Sequence, residues 1–179
     1  MSEKTNAEKP TERIRKRLDD YTALLREIDN QNERLDTIET KMAAPPGPNM
    51  TGLPSGKGSP SDRVSMIVIR KLALEEQIAK TVAMERAENA AIEAMIVQMA
   101  DPDERAAIRM RYFDRYEWED IAFALYGDRP DYTNRTAAYM NRVYKLHGRA
   151  LLSLAAILEA SDGSAEKGRK KQKREGRGY

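Results

Sequence analysis

The chain contains no cysteine, which excludes disulfides, thiolate metal sites and a cysteine nucleophile. Its one histidine, His147, is too few ligands for an ordinary structural zinc site and is expected to pack or to contact a phosphate. Large aromatic anchors are scarce, with one Trp and two Phe. No stretch approaches the roughly 20 apolar residues that span a bilayer. Met1–Pro10 lacks the apolar core of a signal peptide, so the expected location is cytoplasmic. There is no phosphate-cradling Gly loop and no Ser-His-Asp arrangement. The acidic groups Asp101, Asp103, Glu104 and Glu117, Glu119, Asp120 read as helix-start residues that complement the helix dipole. The sequence therefore predicts a non-enzymatic protein without a cofactor or metal.

What the chain has is charge, 34% of residues, too much to surround one large core. The net charge of +2 is unevenly spread. Between 132 and 158 stand Arg135, Arg142, Lys145 and Arg149 with no acidic residue. Residues 161–179 hold seven basic residues against three acidic ones. Two positive segments on a nearly neutral chain suit a localised contact with a polyanion.

Apolar periodicity is helical throughout, and no segment alternates at period two. Over 11–43, Ile14, Leu18, Tyr21, Leu25, Ile28, Leu35 and Met42 form a heptad seam that places Asn32 and Glu39 within it. Either Asn32 fixes register or the helix weakens after Ile28. Residues 44–60 carry five Pro and four Gly and read as a linker. Ser59 as cap and Pro60 at the first helical position open a helix over 61–100, with Val64, Ile67, Leu74, Ile78, Val82, Ile92, Met95 and Met99 on its apolar side. Its partner is the first helix, a second subunit, or both, and a homodimer through these N-terminal helices is the expectation.

A domain follows over 101–160. Asp101-Pro102-Asp103-Glu104 is a cap, a first-turn proline and a capping-box glutamate. The short helix it opens offers Ala107, Ile108 and Tyr112 to a core. Asp114-Arg115-Tyr116 is a turn, and Trp118–Tyr126 a second short helix with Trp118, Ile121, Ala122 and Leu125 on one face. After Gly127–Asp131 a last helix starts near Thr133 and runs to Ala160, burying Val143, Leu146, Ala150, Leu151, Leu154 and Leu158. Its opposite face carries Asn141, Arg142, Lys145 and Arg149, with Tyr144 beside them. Short helix, turn and basic helix make the pattern of a helix-turn-helix, whose last helix enters the major groove. Arg and Asn suit guanine and adenine edges, and Lys suits phosphates. Residues 161–179 read as a disordered basic tail that either adds nonspecific DNA affinity or only solubilises.

The run DPDERAAIRMRYFDRYEWEDIAFALYG followed by VYKLHGRALLSL resembles the sigma-region-four-like helix-turn-helix of phage transcriptional regulators of the ArpU and RinA type. GLPSGKGSPSDRVS upstream is similar to the same phage proteins. The resemblance covers roughly residues 50–158. Periodicity predicts an all-α fold, coiled-coil-like helices ahead of a helix-turn-helix; the resemblance implies double-stranded DNA binding and regulation of phage genes in a bacterial host, in contact with host RNA polymerase. It implies DNA-facing roles for Arg142, Tyr144, Lys145 and Arg149. Two departures stand out: Glu117 replaces a small capping residue, and about ten extra residues separate Gly127 from Val143 relative to a compact motif. Either the turn is long, or the helix begins near Thr133 and Asn134, Arg135 and Tyr139 reach the groove first. Rival readings are a small terminase subunit, which also joins a helix-turn-helix to oligomerising helices, and a coiled-coil adaptor that binds polymerase.

Overall fold

The computed structural model describes residues 9–43 and 60–175, with side chains for 9–43 and 64–163. Among the described residues the fold is all-α, without strands. It comprises α1 (Pro10–Ala43), α2 (Pro60–Ile96), α3 (Pro102–Ile108), α4 (Trp118–Tyr126) and α5 (Thr136–Glu175), with α3 running into a π-helical turn, Arg109–Phe113. Two compact units result: Met1–Thr22 with Asn89–Tyr179, and Ala23–Glu88. No described helix is long and apolar enough to cross a membrane.

In the Ala23–Glu88 unit the chain pairs its own helices, with Lys71 Nζ of α2 2.8 Å from Glu39 Oε1 of α1. The inward residues of α1 here are Ile28, Gln31, Leu35 and Ile38, which corrects the expected seam by one position. Asn32 is exposed, and Gln31 is buried instead, donating through Nε2 to Glu27 Oε1 at 2.8 Å. The shift has a physical reason. It turns Ile38 inward and leaves the Glu39 carboxylate outside, where Lys71 neutralises it, so no charge is buried. On α2, Leu74 and Thr81 are buried and Ile78 is half-buried, whereas Val64, expected inside, is 60% exposed. Ser59 lies outside the described residues, but Pro60 does open the helix, its fixed φ preset for that position.

The other unit is the larger core. Ile14, Leu18 and Tyr21 of α1 and Ile92, Met95 and Ile96 of α2 are buried there, as are Ala107, Ile108 and Tyr112. Tyr21 Oη accepts from Asn89 Nδ2 at 2.9 Å, and its ring meets Phe113 at 4.9 Å. α2 ends at Ile96, and Arg105 donates to the carbonyl of Met99 at 2.6 Å, satisfying an acceptor beyond the helix end. Asp101 caps α3 by accepting from the amides of Asp103 (2.8 Å) and Glu104 (3.4 Å). Glu104 does not close a capping box: it is buried, and its carboxylate accepts from Ser153 Oγ of α5 at 2.8 Å. α5 packs on both α3 and α4 through Tyr139, Val143, Leu146, His147, Ala150, Leu151, Leu154 and Ala155. That spacing is the broad apolar stripe of a core-facing helix.

α5 differs from expectation at both ends. It starts at Thr136 rather than Thr133, and it continues through Glu175 instead of giving way to a disordered tail at 161. Ala, Glu, Lys, Gln and Arg dominate 165–175, and these good helix formers extend a helix whose nucleation cost is already met. The remainder of the expected tail, 176–179, lies outside the described residues.

Candidate nucleic-acid interface

Two helices and the connector between them build the candidate surface. Ile121 and Ala122 of α4 and Val143 of α5 are fully buried together, with Trp118, Leu125, Tyr126, Tyr132 and Met140 packed around them. Glu117 precedes α4 without making a side-chain cap. Its carboxylate lies 3.4 Å from Arg111 instead, and the Arg111 guanidinium covers the Trp118 ring at 4.6 Å, a cation–π contact.

The connector is long, and it is ordered. The amides of Arg129, Tyr132 and Arg135 donate to the carbonyls of Tyr126, Arg129 and Tyr132, each at 3.0 Å, giving successive tight turns. Tyr132 and Tyr126 lie against Tyr139 of α5 at 5.4 and 5.2 Å between ring centres. Tyr139 Oη donates to Asp131 at 2.6 Å. That bond holds the Asp131 carboxyl below its ordinary range and pushes the Tyr139 phenol above its own. Gly127 is required where the connector begins, because a Cβ there would lie 2.5 Å from the Phe123 carbonyl oxygen and 2.9 Å from the Phe123 ring.

Of the two arrangements compatible with the sequence, the long turn is the one observed. Asn134 and Arg135 are exposed, but they stand in the connector ahead of α5. Arg135 is 3.3 Å from Asp131. Tyr139 is 4% exposed, so its ring belongs to the core and cannot reach a ligand first. Asn141, Arg142, Tyr144, Lys145 and Arg149 are all exposed, on the side of α5 away from its buried stripe. Arg142 stacks over Tyr139 at 4.9 Å, and Tyr144 meets the edge of Trp118 at 5.3 Å. Both side chains are thus held by aromatic neighbours while remaining exposed.

Arg149 stands apart from this group. It lies 3.5 Å from Glu104 and 3.9 Å from Asp101, so much of its charge is already compensated. Charge counting along 132–158 misses this because both acids belong to the α3 region. Reading Glu104 as a capping residue hides the pairing.

Beneath the surface, His147 Nε2 is 3.0 Å from Tyr112 Oη, and the His147 ring meets Trp118 edge-on at 5.0 Å. Burial, reinforced by Arg15 and Arg111, pushes the imidazole down to about 4. Burial likewise pushes the Tyr112 phenol up to about 12. At neutral pH both are uncharged, so His147 is a packed histidine and contributes no positive charge to the surface above it. The π-helical turn carries Tyr112 to this contact, and its Arg109 makes a two-point pair with Glu93 at 2.9 and 2.7 Å. Among the described residues no group of three or more His, Cys, Asp or Glu could hold a metal ion.

The surface therefore presents a guanidinium, an ammonium, a carboxamide and a phenol along less than three turns of one helix. All four can donate hydrogen bonds to anionic or carbonyl oxygens. Comparison with protein-family models, curated proteins and solved structures finds no match for the chain.

Proposed function

We propose that the chain is a sequence-specific DNA-binding protein, a sigma-like transcriptional regulator of phage genes, in which α4, the connector and α5 act as a helix-turn-helix. The observation that carries this reading is the outward face of α5. Asn141, Arg142, Tyr144 and Lys145 are exposed there, while the opposite face anchors the helix in the core. An α-helix fits the major groove, and base edges are read by a few donors near the start of such a helix. Arg142 and Asn141 are the base-reading candidates in this mode, and Lys145 takes phosphate. Asn134 and Arg135 of the connector contact the flanking backbone. Arg149 is a weaker contributor, since Glu104 and Asp101 compete for it. A homodimer would set two such faces on two half-sites, and host RNA polymerase is the further partner.

Selection of bound sequences from a random DNA pool tests the reading. A recurring motif is expected. Arg142→Ala should then relax preference at one position at a cost of about 1–3 kcal/mol, and Lys145→Ala should weaken all sequences nearly equally. If no motif is enriched and neither change alters affinity at moderate salt, the reading fails.

A further inference from the structure

α2 is apolar on two sides. Within the Ala23–Glu88 unit it buries Leu74 and Thr81. Away from that seam it exposes Ile69 (58%) and Leu72 (59%), flanked by Val64, Met66, Val68 and Met84. Ala79, Ala83 and Ala87 continue the outward face and are also exposed. A second apolar patch outside the intramolecular seam is the mark of a helix that another surface also covers. We infer that the outward face of α2 from Val64 to Ala87 docks on the same face of a second copy of this chain, antiparallel across a two-fold axis at the level of Ile78.

Charge selects both the occupant and the orientation. The charges at the centre of this face are Glu76 and Lys80, 69% and 72% exposed and 2.7 Å apart within one chain. They lie two residues either side of position 78. An antiparallel two-fold therefore sets Glu76 against Lys80 of the second copy, twice. A parallel pairing in register would set Glu76 against Glu76 and Lys80 against Lys80, which is repulsive. A two-fold interface must be self-complementary, and this face is. Residues 64–87 span about 36 Å of helix, roughly three heptads, enough for a stable coiled contact. The 44–59 linker is a poorer occupant, since its large apolar residues are only Met50 and Leu53 against six exposed on α2.

The inference specifies the homodimer of the DNA-binding reading, but it is tested without DNA, so the two fail separately. Sedimentation equilibrium of the full chain should give a dimer. Ile69→Glu with Leu72→Glu should raise the dissociation constant at least tenfold while circular dichroism shows the helices retained. Glu76→Lys alone should weaken the dimer, and Glu76→Lys with Lys80→Glu should restore it, a rescue that general misfolding does not produce. Because the chain has no cysteine, Ala79→Cys near the axis should cross-link into a covalent dimer on mild oxidation, and Thr37→Cys on α1 should not. A monomer at micromolar concentration, a larger ring, or a dimer indifferent to the Ile69 and Leu72 changes overturns the inference.

Discussion

His147 is 7% exposed, between Tyr112 and Trp118, and its imidazole titrates near 4 rather than at its ordinary 6.5. The unfolded chain therefore takes up a proton between those values that the folded chain refuses. Stability from this group is fully present above about pH 6.5 and is lost as pH falls toward 4, by roughly 2–3 kcal/mol. Urea unfolding at pH 7, 5.5 and 4.5 should show the midpoint falling across this window. His147→Gln should be less stable at pH 7 but flatter with pH, and an equally steep decline in that variant would assign the effect to other groups. Arg149 makes a different point at this scale: its placement is legible in the sequence, but its compensation by Glu104 and Asp101 depends on a contact from another part of the fold. Helical periodicity says which way a side chain faces and nothing about what meets it there.

Among the elements, the α4–connector–α5 unit depends on Gly127. A methyl group there collides with the Phe123 carbonyl and ring, and the last turn of α4 must move to accept it. Gly127→Ala should cost about 1–3 kcal/mol, read as a lowered urea midpoint. A neutral outcome would mean that the turn relaxes freely. The core side of these helices is readable from sequence: Ile121, Ala122, Val143, Leu146, Ala150, Leu151 and Leu154 are buried as their spacing requires. The connector is not, because its order comes from Tyr126, Tyr132 and Tyr139 meeting across turns that periodicity does not describe. The seam of α1 is readable as far as Ile28 and again at Leu35, but not at the positions between and after them. Beyond Ile28 the apolar residues thin out, and periodicity cannot choose between Asn32 with Glu39 and Gln31 with Ile38. Lys71 of α2, paired with Glu39, favours the second.

For the whole molecule, the length of α5 matters most. It runs 40 residues, well past the core it anchors. Residues 164–179 carry seven basic residues and two acidic ones, and their composition points to disorder where helix continues to Glu175. If the chain binds DNA as proposed, ending it after Gly163 should flatten the dependence of affinity on salt, by about 0.9 in logarithmic slope for each phosphate that is no longer neutralised. Sequence preference should be unchanged. Titrations over a salt series check this, and an unchanged slope would show that the segment touches no phosphate.

The only tryptophan of the chain sits where these scales meet. Trp118 lies 4.6 Å from the Arg111 guanidinium, 5.0 Å from the His147 ring and 5.3 Å from the Tyr144 ring. Its emission thus has one source and three neighbours, each tied to a different event. Under the proposed DNA-binding mode, a ligand on the outward face of α5 would meet Tyr144 and is expected to alter its edge contact with the indole. Protonation of His147 sets an efficient quencher against the indole. Loss of the core exposes the indole to water and shifts the emission to the red. The unlabelled molecule carries its own optical readout for occupancy, proton uptake and unfolding, separable by intensity and wavelength.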